Sequence, residues 1–399
     1  MSEKEKNPAG STASVHAGTP AVRAHNTLAP GIAQTATFTF QSTEDLEQYM
    51  RGQDDDPERE EYGRYGNPTV RELERRVAAL EGADDSVAFS SGMAAITSAL
   101  LTMTKSGDHV VLFNDCYRRT RQFVSTVLTR YGVEQTLIPA GDMKALDAAI
   151  QKNTKFVISE SPTNPYLDCC DLKELVRVAK SHGRVRVMVD STFATPVNCR
   201  PGEFGADLVV HSATKYLSGH NDVLGGLVAG PSHLISLLRD SRGVLGSVLD
   251  PHAAFLIARG LKTLNLRVLR QNATALAVAT ALEKHPKVER VFYPMLPSHA
   301  SYAIAKEQMA GGGGVVSFIV KGDRKETSKV VDGCKLAKIA ASLGGVETLI
   351  EQPAIMSYFE LDEEGLSKVG ISSSLIRLSV GVEDTEDVVG DVIGSLDQL

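Results

Sequence analysis

Short, continuous apolar runs recur along the first two thirds of the chain, each closed by a polar or glycine turn. SVAF at 86–89, HVVLF at 109–113, QTLI at 135–138, KFVIS at 155–159, RVMV at 186–189, DLVV at 207–210 and GGLVA at 225–229 read as strands. Between them, apolar positions fall at helical spacing. Val70, Leu73, Val77 and Leu80 predict a helix that Gly82 can end. Further helices are expected over 94–104, 120–131, 143–151 and 172–181. The runs are continuous rather than alternating, which predicts a mostly parallel, seven-stranded sheet covered on both faces, an α/β fold.

The flanks differ. Residues 1–68 read as an extended arm, with one short alternating strand at Ala36-Thr-Phe-Thr-Phe40 and a charged loop at 54–61. After about Asp250 a long helical stretch is expected from Ala253 to His285, linking two domains. Strand–helix units resume at 314–320, 326–331 and 375–379 and predict a smaller C-terminal α/β domain. The expected division is an arm over 1–68, a large strand–helix domain over 69–265 and a C-terminal domain over 266–399. Gly311–Gly314 is a turn and not a phosphate loop, because no lysine follows where one is needed.

Composition narrows the function classes. The chain has 399 residues, 42% hydrophobic and 23% charged, as in ordinary globular proteins. A net charge of -7 argues against nucleic acid as a partner. No apolar run approaches the roughly 20 residues of a membrane span, so no membrane partner is expected. The first residues, MSEKEKNPAGSTASVHAG, lack a secretory apolar core and the Arg-rich character of a transit peptide. Five cysteines without metal-type spacing suit a reducing, cytoplasmic setting and indicate no metal.

Chemistry gathers at the ends of the apolar runs. His211-Ser-Ala-Thr-Lys215 follows one, and a lysine there sits where open α/β sheets bind ligands. With Ser212 and Thr214 as phosphate donors, Lys215 suits pyridoxal phosphate held as a Schiff base, although the window alone also reads as a surface turn. Ser90-Ser-Gly-Met93 opens a helix and suits an anion on backbone N–H groups, or is an ordinary glycine turn. Asp190 ends another run, as a pyridinium partner or a helix cap. Asn164, in the turn Glu160-Ser-Pro-Thr-Asn-Pro165, can reach a ring oxygen. Arg377 stands in an apolar strand, where a buried charge needs a strong reason such as a substrate carboxylate.

The blocks YGRYGNPT, SSGMAAI, ESPTNPYL, VDSTFATP, HSATKYLSGHNDV, SLGGVETL and LIRLSVGVE resemble, in order, those of the Cys/Met-metabolism pyridoxal phosphate enzymes, the transsulfuration γ-family. The resemblance implies an aspartate-aminotransferase-type (type I) fold. It implies Lys215 as the Schiff-base lysine, Asp190 as the pyridinium partner, and Ser91, Gly92, Met93, Ser212 and Thr214 as phosphate ligands. Tyr117 would stack on the ring, with Asn164 and Thr192 fixing it. Tyr62 and Arg64 would reach the phosphate of a neighbouring subunit, in a homotetramer built from dimers with shared sites. Asn164, Ser342 and Arg377 would contact a small amino-acid substrate.

The stretch Asp115-Cys-Tyr-Arg-Arg-Thr-Arg121 resembles plant-type cystathionine γ-synthases, whose basic residues follow the stacking tyrosine. Methionine γ-lyases carry a cysteine at the position of Arg119. Ala341 stands where many cystathionine γ-lyases and bacterial synthases have glutamate, which leaves the thiol acceptor open. The implied reaction is γ-replacement on an activated homoserine ester. A γ-elimination lyase, or γ-substitution with another nucleophile, is the alternative. Three arginines beside Tyr117 read either as a solvated basic face or, since positive charge is unfavourable at a helix start without an anion, as a site for an anionic ester with Arg119 as the expected contact.

Overall fold

In a computed structural model that describes residues 10–23, 26–54 and 59–399, the apolar runs assemble into one large sheet. Its strands are β1 (Asp85–Phe89), β2 (His109–Phe113), β3 (Glu134–Ile138), β4 (Thr154–Glu160), β5 (Arg186–Asp190), β6 (Leu208–Ser212) and β7 (Gly226–Gly230). They lie in the order β1-β7-β6-β5-β4-β2-β3. The β6–β7 and β1–β7 pairs are antiparallel and the others parallel, so six strands share a direction and β7 alone runs back. Both faces are covered. Val87 and Val228 enter one core, and their neighbours Ala88 and Leu227 enter another on the opposite face. That is why these strands read as unbroken apolar runs.

A second sheet follows, in the order β10-β11-β12-β9-β8. It comprises β8 (Val288–Phe292), β9 (Val315–Val320), β10 (Lys338–Ile339), β11 (Leu349–Glu351) and β12 (Leu375–Ser379). The helix Leu264–Glu283 serves two cores. Leu264 and Val268 pack beside the large sheet, while Ala275, Val278 and Leu282 pack against the small one. No helix among the described residues is long and apolar enough to cross a membrane.

Several expectations are corrected. The strand expected at 36–40 is only a bridge between Thr37 and Tyr62, with Phe38 N bonded to Glu61 O and Gly63 N to Ala36 O. Thr35 Oγ1 bonds both the N and the O of Thr37, which curls the segment locally. The helix expected at 94–104 starts earlier, at Gly92, because Ser91 caps it by accepting from Ala94 N. The helix expected over 120–131 divides into an α turn at Arg118–Gln122, a π turn at Phe123–Val127 and a 3-10 turn at Leu128–Tyr131. There Ser125 and Thr126 hydroxyls both bond Gln122 O and Thr129 bonds Ser125 O, competing for the carbonyls an α-helix needs.

The long helix expected from Ala253 is two, Pro251–Leu261 and Leu264–Glu283. The break lies where Gly260 packs so closely on Ser218 that a Cβ would lie 2.2 Å from its carbonyl oxygen. Residues 1–9 and 24–25 of the expected arm, and 55–58 of the charged loop, lie outside the described residues.

Candidate active site

Because β1, β4, β5 and β6 share a direction, their C-terminal ends meet at one edge of the large sheet, facing the small one. A cavity of about 490 Å³ opens there. Of the residues singled out in the sequence, it is lined by Ser91, Gly92, Met93, Tyr117, Arg119, Asn164, Asp190, Thr192, Ser212, Thr214, Lys215, Ser342 and Arg377. Tyr62 and Arg64 line a different pocket, with Gln34, Asn67 and Asp250. There Arg64 Nη1 donates to Gly243 O, and its guanidinium lies 4.7 Å from the centre of the Tyr65 ring.

At one end of the cavity the helix Gly92–Met103 begins. Ala94 N is taken by Ser91 Oγ and Ala95 N by Ser91 O, while Gly92 N and Met93 N donate to no described residue. Ser212 Oγ is likewise uncommitted, and Gly92 is held against it: a Cβ on Gly92 would lie 2.8 Å from the Ser212 Cβ. Free N–H groups at a helix start beside a free hydroxyl suit an anion such as a phosphate. Thr214 Oγ1 accepts from Gly225 N at 3.1 Å, which ties the Lys215 turn to the start of β7.

Asp190 ends β5, and its Oδ1 accepts from Thr192 Oγ1 at 2.5 Å and from Thr192 N at 3.1 Å. Thr192 Oγ1 in turn accepts from Ser212 N at 2.9 Å, so one hydroxyl joins the ends of β5 and β6. No donor among the described residues reaches Asp190 Oδ2. Burial pushes this carboxyl up against the two Thr192 bonds, an environment that calls for a cation opposite it. A protonated pyridine nitrogen supplies one, with phosphate donors and a lysine in the same cavity. The donor set therefore fits pyridoxal phosphate.

Lys215 Nζ donates to Ser342 Oγ at 2.6 Å. Burial, helped by the Arg377 charge, lowers its ammonium to about 8, so a neutral amine is within easy reach. Ser342 has φ 88°, a left-handed backbone that a serine rarely adopts. Arg377 Nη2 donates to Ser342 O and Arg377 Nη1 to Asn164 Oδ1, both at 3.0 Å. The Arg377 Nε is buried without a partner among the described residues.

Two acids in the cavity were missed in the sequence. Glu160 ends β4 beside Asp190 and accepts from Tyr117 N at 2.5 Å. Burial, with Asp190 and Asp115 nearby, holds it well above the usual carboxylate range. It ends an apolar run as Asp190 does, so the same signal was available for it. Glu351 pairs with Arg377 across the small sheet and was hidden by a strand of only three residues.

The arginine cluster is also redistributed. Arg118 donates to Ser357 O, pairs with Glu360 and lies 5.2 Å from the Tyr358 ring centre. Its compensating anion is therefore in the chain itself. Arg121 does not line the cavity, and its charge pulls down the Asp115 and Glu160 carboxyls. Among the described residues Arg119 bonds only Gln122 Oε1, at 2.7 Å, and no acid lies within ion-pair distance of it, although its charge helps lower the Glu360 carboxyl. Among the described residues no group of three or more His, Cys, Asp or Glu is arranged to hold a metal.

A sequence model of the family described as Cys/Met metabolism PLP-dependent enzyme matches residues 11–397. The chloroplastic cystathionine gamma-synthase 1 of Nicotiana tabacum is 49% identical over 340 residues, 85% of this chain. The chain spans only 63% of that protein's length. L-methionine gamma-lyase of Porphyromonas gingivalis is 42% identical over 390 residues, covering 97% of each chain. The crystal structure of metB from Corynebacterium glutamicum superposes with a TM-score of 0.90, at 37% identity and 97% coverage of both chains.

Proposed function

The chain belongs to the Cys/Met metabolism PLP-dependent enzyme family, and from that premise we propose that it catalyses γ-replacement on an activated homoserine ester, with a thiol as acceptor. The observation that carries this reading is Arg119, a cavity-lining guanidinium with no acid within ion-pair distance among the described residues, at the position where the resemblance puts the cysteine of methionine γ-lyases. The similarity to a named synthase supports it. The full-length similarity to a named lyase keeps γ-elimination as the second reading.

In this reading Gly92, Met93, Ser91, Ser212 and Thr214 hold the phosphate of pyridoxal phosphate, Asp190 its ring nitrogen, and Tyr117 its face, with Asn164 and Thr192 at its edge. Bound there, the cofactor supplies an electron sink for the bonds at the substrate Cα. Arg377 orients the substrate by its carboxylate. Lys215 Nζ takes the Cα proton and later handles the Cβ proton, a task suited to an amine that burial keeps close to neutral. Ser342 holds that amine until substrate enters. Arg119 receives the ester's departing anion through its forked donors.

Incubation with O-phospho-, O-succinyl- and O-acetylhomoserine, with and without cysteine, tests the reading by product mass. Cystathionine is expected, with the phospho ester preferred and the succinyl ester second. Arg119→Ala should raise KM for the phospho ester by about tenfold or more, and for the neutral acetyl ester far less. 2-Oxobutyrate as the main product with cysteine present would replace the synthase by the lyase. Equal KM changes on both esters would remove Arg119 from the leaving-group site.

Tyr62 and Arg64, in the same reading, serve the phosphate end of a neighbouring subunit. Arg64→Ala and Lys215→Ala proteins, each inactive or weak alone, should then regain up to about a quarter of wild-type activity when subunits exchange, because a hybrid dimer carries one intact site. Demonstrated exchange without recovery would make each site self-sufficient.

A further inference from the structure

Arg377 already has a carboxylate. Glu351 on β11 and Arg377 on β12 are direct cross-strand partners, and Glu351 Oε1 lies 2.8 Å from Arg377 Nη2. Both side chains are buried, at 3% and 7% exposure, yet both line the cavity. Among the described residues no backbone N–H, hydroxyl or amide donates to the Glu351 carboxylate. The guanidinium is its single partner, and that guanidinium also serves Asn164 Oδ1 and Ser342 O.

A substrate carboxylate docking on Arg377 would put two carboxylates on one buried guanidinium. Like charges at that separation cannot both stay ionised without a large penalty. A proton on one of them restores one cation to one anion, and a protonated carboxyl gains an O–H that can donate to its neighbour. Glu351 is the better receiver, since burial already pushes its carboxyl up against the pull of Arg377 and Lys215.

We infer that Glu351 takes up one proton when the substrate carboxylate binds Arg377, so that occupancy of this subsite and protonation of Glu351 are linked. The proton comes from solvent and returns when the carboxylate leaves. This inference rests on the proposed role of Arg377. It makes Glu351 a specificity-determining group: the cavity favours a carboxylate at low pH and resists it as pH rises. Tyr117, Arg118, Arg119, Tyr358, Glu160 and Asp190 share the cavity and persist in a Glu351 variant, so their own titration cancels in a comparison, while Lys215, whose ammonium the Glu351 charge raises, is tied up as the cofactor's Schiff base in the loaded enzyme.

The probe is n-butyrate, a carboxylate without an amine, added to the cofactor-loaded enzyme. Its inhibition constant against the homoserine ester is measured across pH, together with proton uptake in weakly buffered solution. Wild type should take up to one proton more per bound butyrate than Glu351→Gln. Its inhibition constant should rise with pH by up to about tenfold per unit, a slope the variant lacks. Above that window the variant should bind butyrate about tenfold more tightly than wild type. Glu351→Ala, also without an acid, serves if the glutamine variant does not fold. Equal uptake and equal slopes in wild type and variant overturn the inference and leave Arg377's role standing. Wild type that binds butyrate without taking up a proton overturns it alone as well. Butyrate that competes in neither protein overturns the reading of Arg377, and this inference with it.

Discussion

Lys215→Ala should yield a folded protein that carries no covalently held cofactor and has lost turnover by on the order of 10⁴-fold or more. The fold should survive because the lysine's one side-chain hydrogen bond among the described residues is to Ser342, and neither residue belongs to the buried apolar cores. Chemistry should not, because in the proposed reading the amine that holds the cofactor is also the base at Cα. A loss of activity with unchanged far-UV dichroism, and loss of the yellow absorbance after dialysis, is the expected result. Exogenous amines should restore a small part of the rate, since a diffusing base can enter a cavity that is open on one side. A variant that keeps its colour through dialysis, or turns over within tenfold of wild type, would mean that another amine carries the cofactor.

Asp190→Asn is the second large expectation. The asparagine Oδ1 can still accept both Thr192 bonds, so the link from β5 through Thr192 to Ser212 should hold. What disappears is the anion on the cavity side. Removing one partner of a buried pair costs about 3–5 kcal/mol, which in rate is on the order of 10²–10⁴-fold if the pair matters mainly as the reaction proceeds. We expect kcat to fall by that amount with the cofactor still bound at the Gly92 end. A kcat within threefold of wild type at full occupancy would reduce Asp190 to the strand-end cap that its position also allows.

The large sheet was legible because burial on both faces removes the polar alternation, so each strand stands out as an apolar run between turns. Its strand ends were legible for the same reason: Asp190 is a charge directly after such a run, and Lys215 follows another within one turn. Glu351 escaped because β11 has three residues and its partner Arg377 follows only across an intervening helical segment. No local pattern reports that pairing. Hydroxyl chemistry explains the misread helix over 120–131, where apolar spacing was right but Ser125, Thr126 and Thr129 turned back on the carbonyls. The arm segment 36–40 failed for a related reason, since its alternation has only a single bridge to Tyr62 as a partner.

The reversed strand β7 also bears on how the chain folds. The parallel units from β2 to β6 pair with near neighbours in sequence, but β1 waits for β7, and Phe89 meets Gly226 only after most of the large sheet has been synthesised. Closing a loop of that length is slow and carries the largest entropy cost in the sheet. Gly226 packs directly behind Ser91, where a Cβ would lie 2.1 Å from the Ser91 carbonyl oxygen. A chain halted before that glycine holds Asp190 and Ser212 on paired strands, with Lys215 in the turn after Ser212, but the Ser91 turn has no wall to stand against. The helix start at Gly92 thus takes its place late, after the strands that carry the acid and the lysine have found theirs.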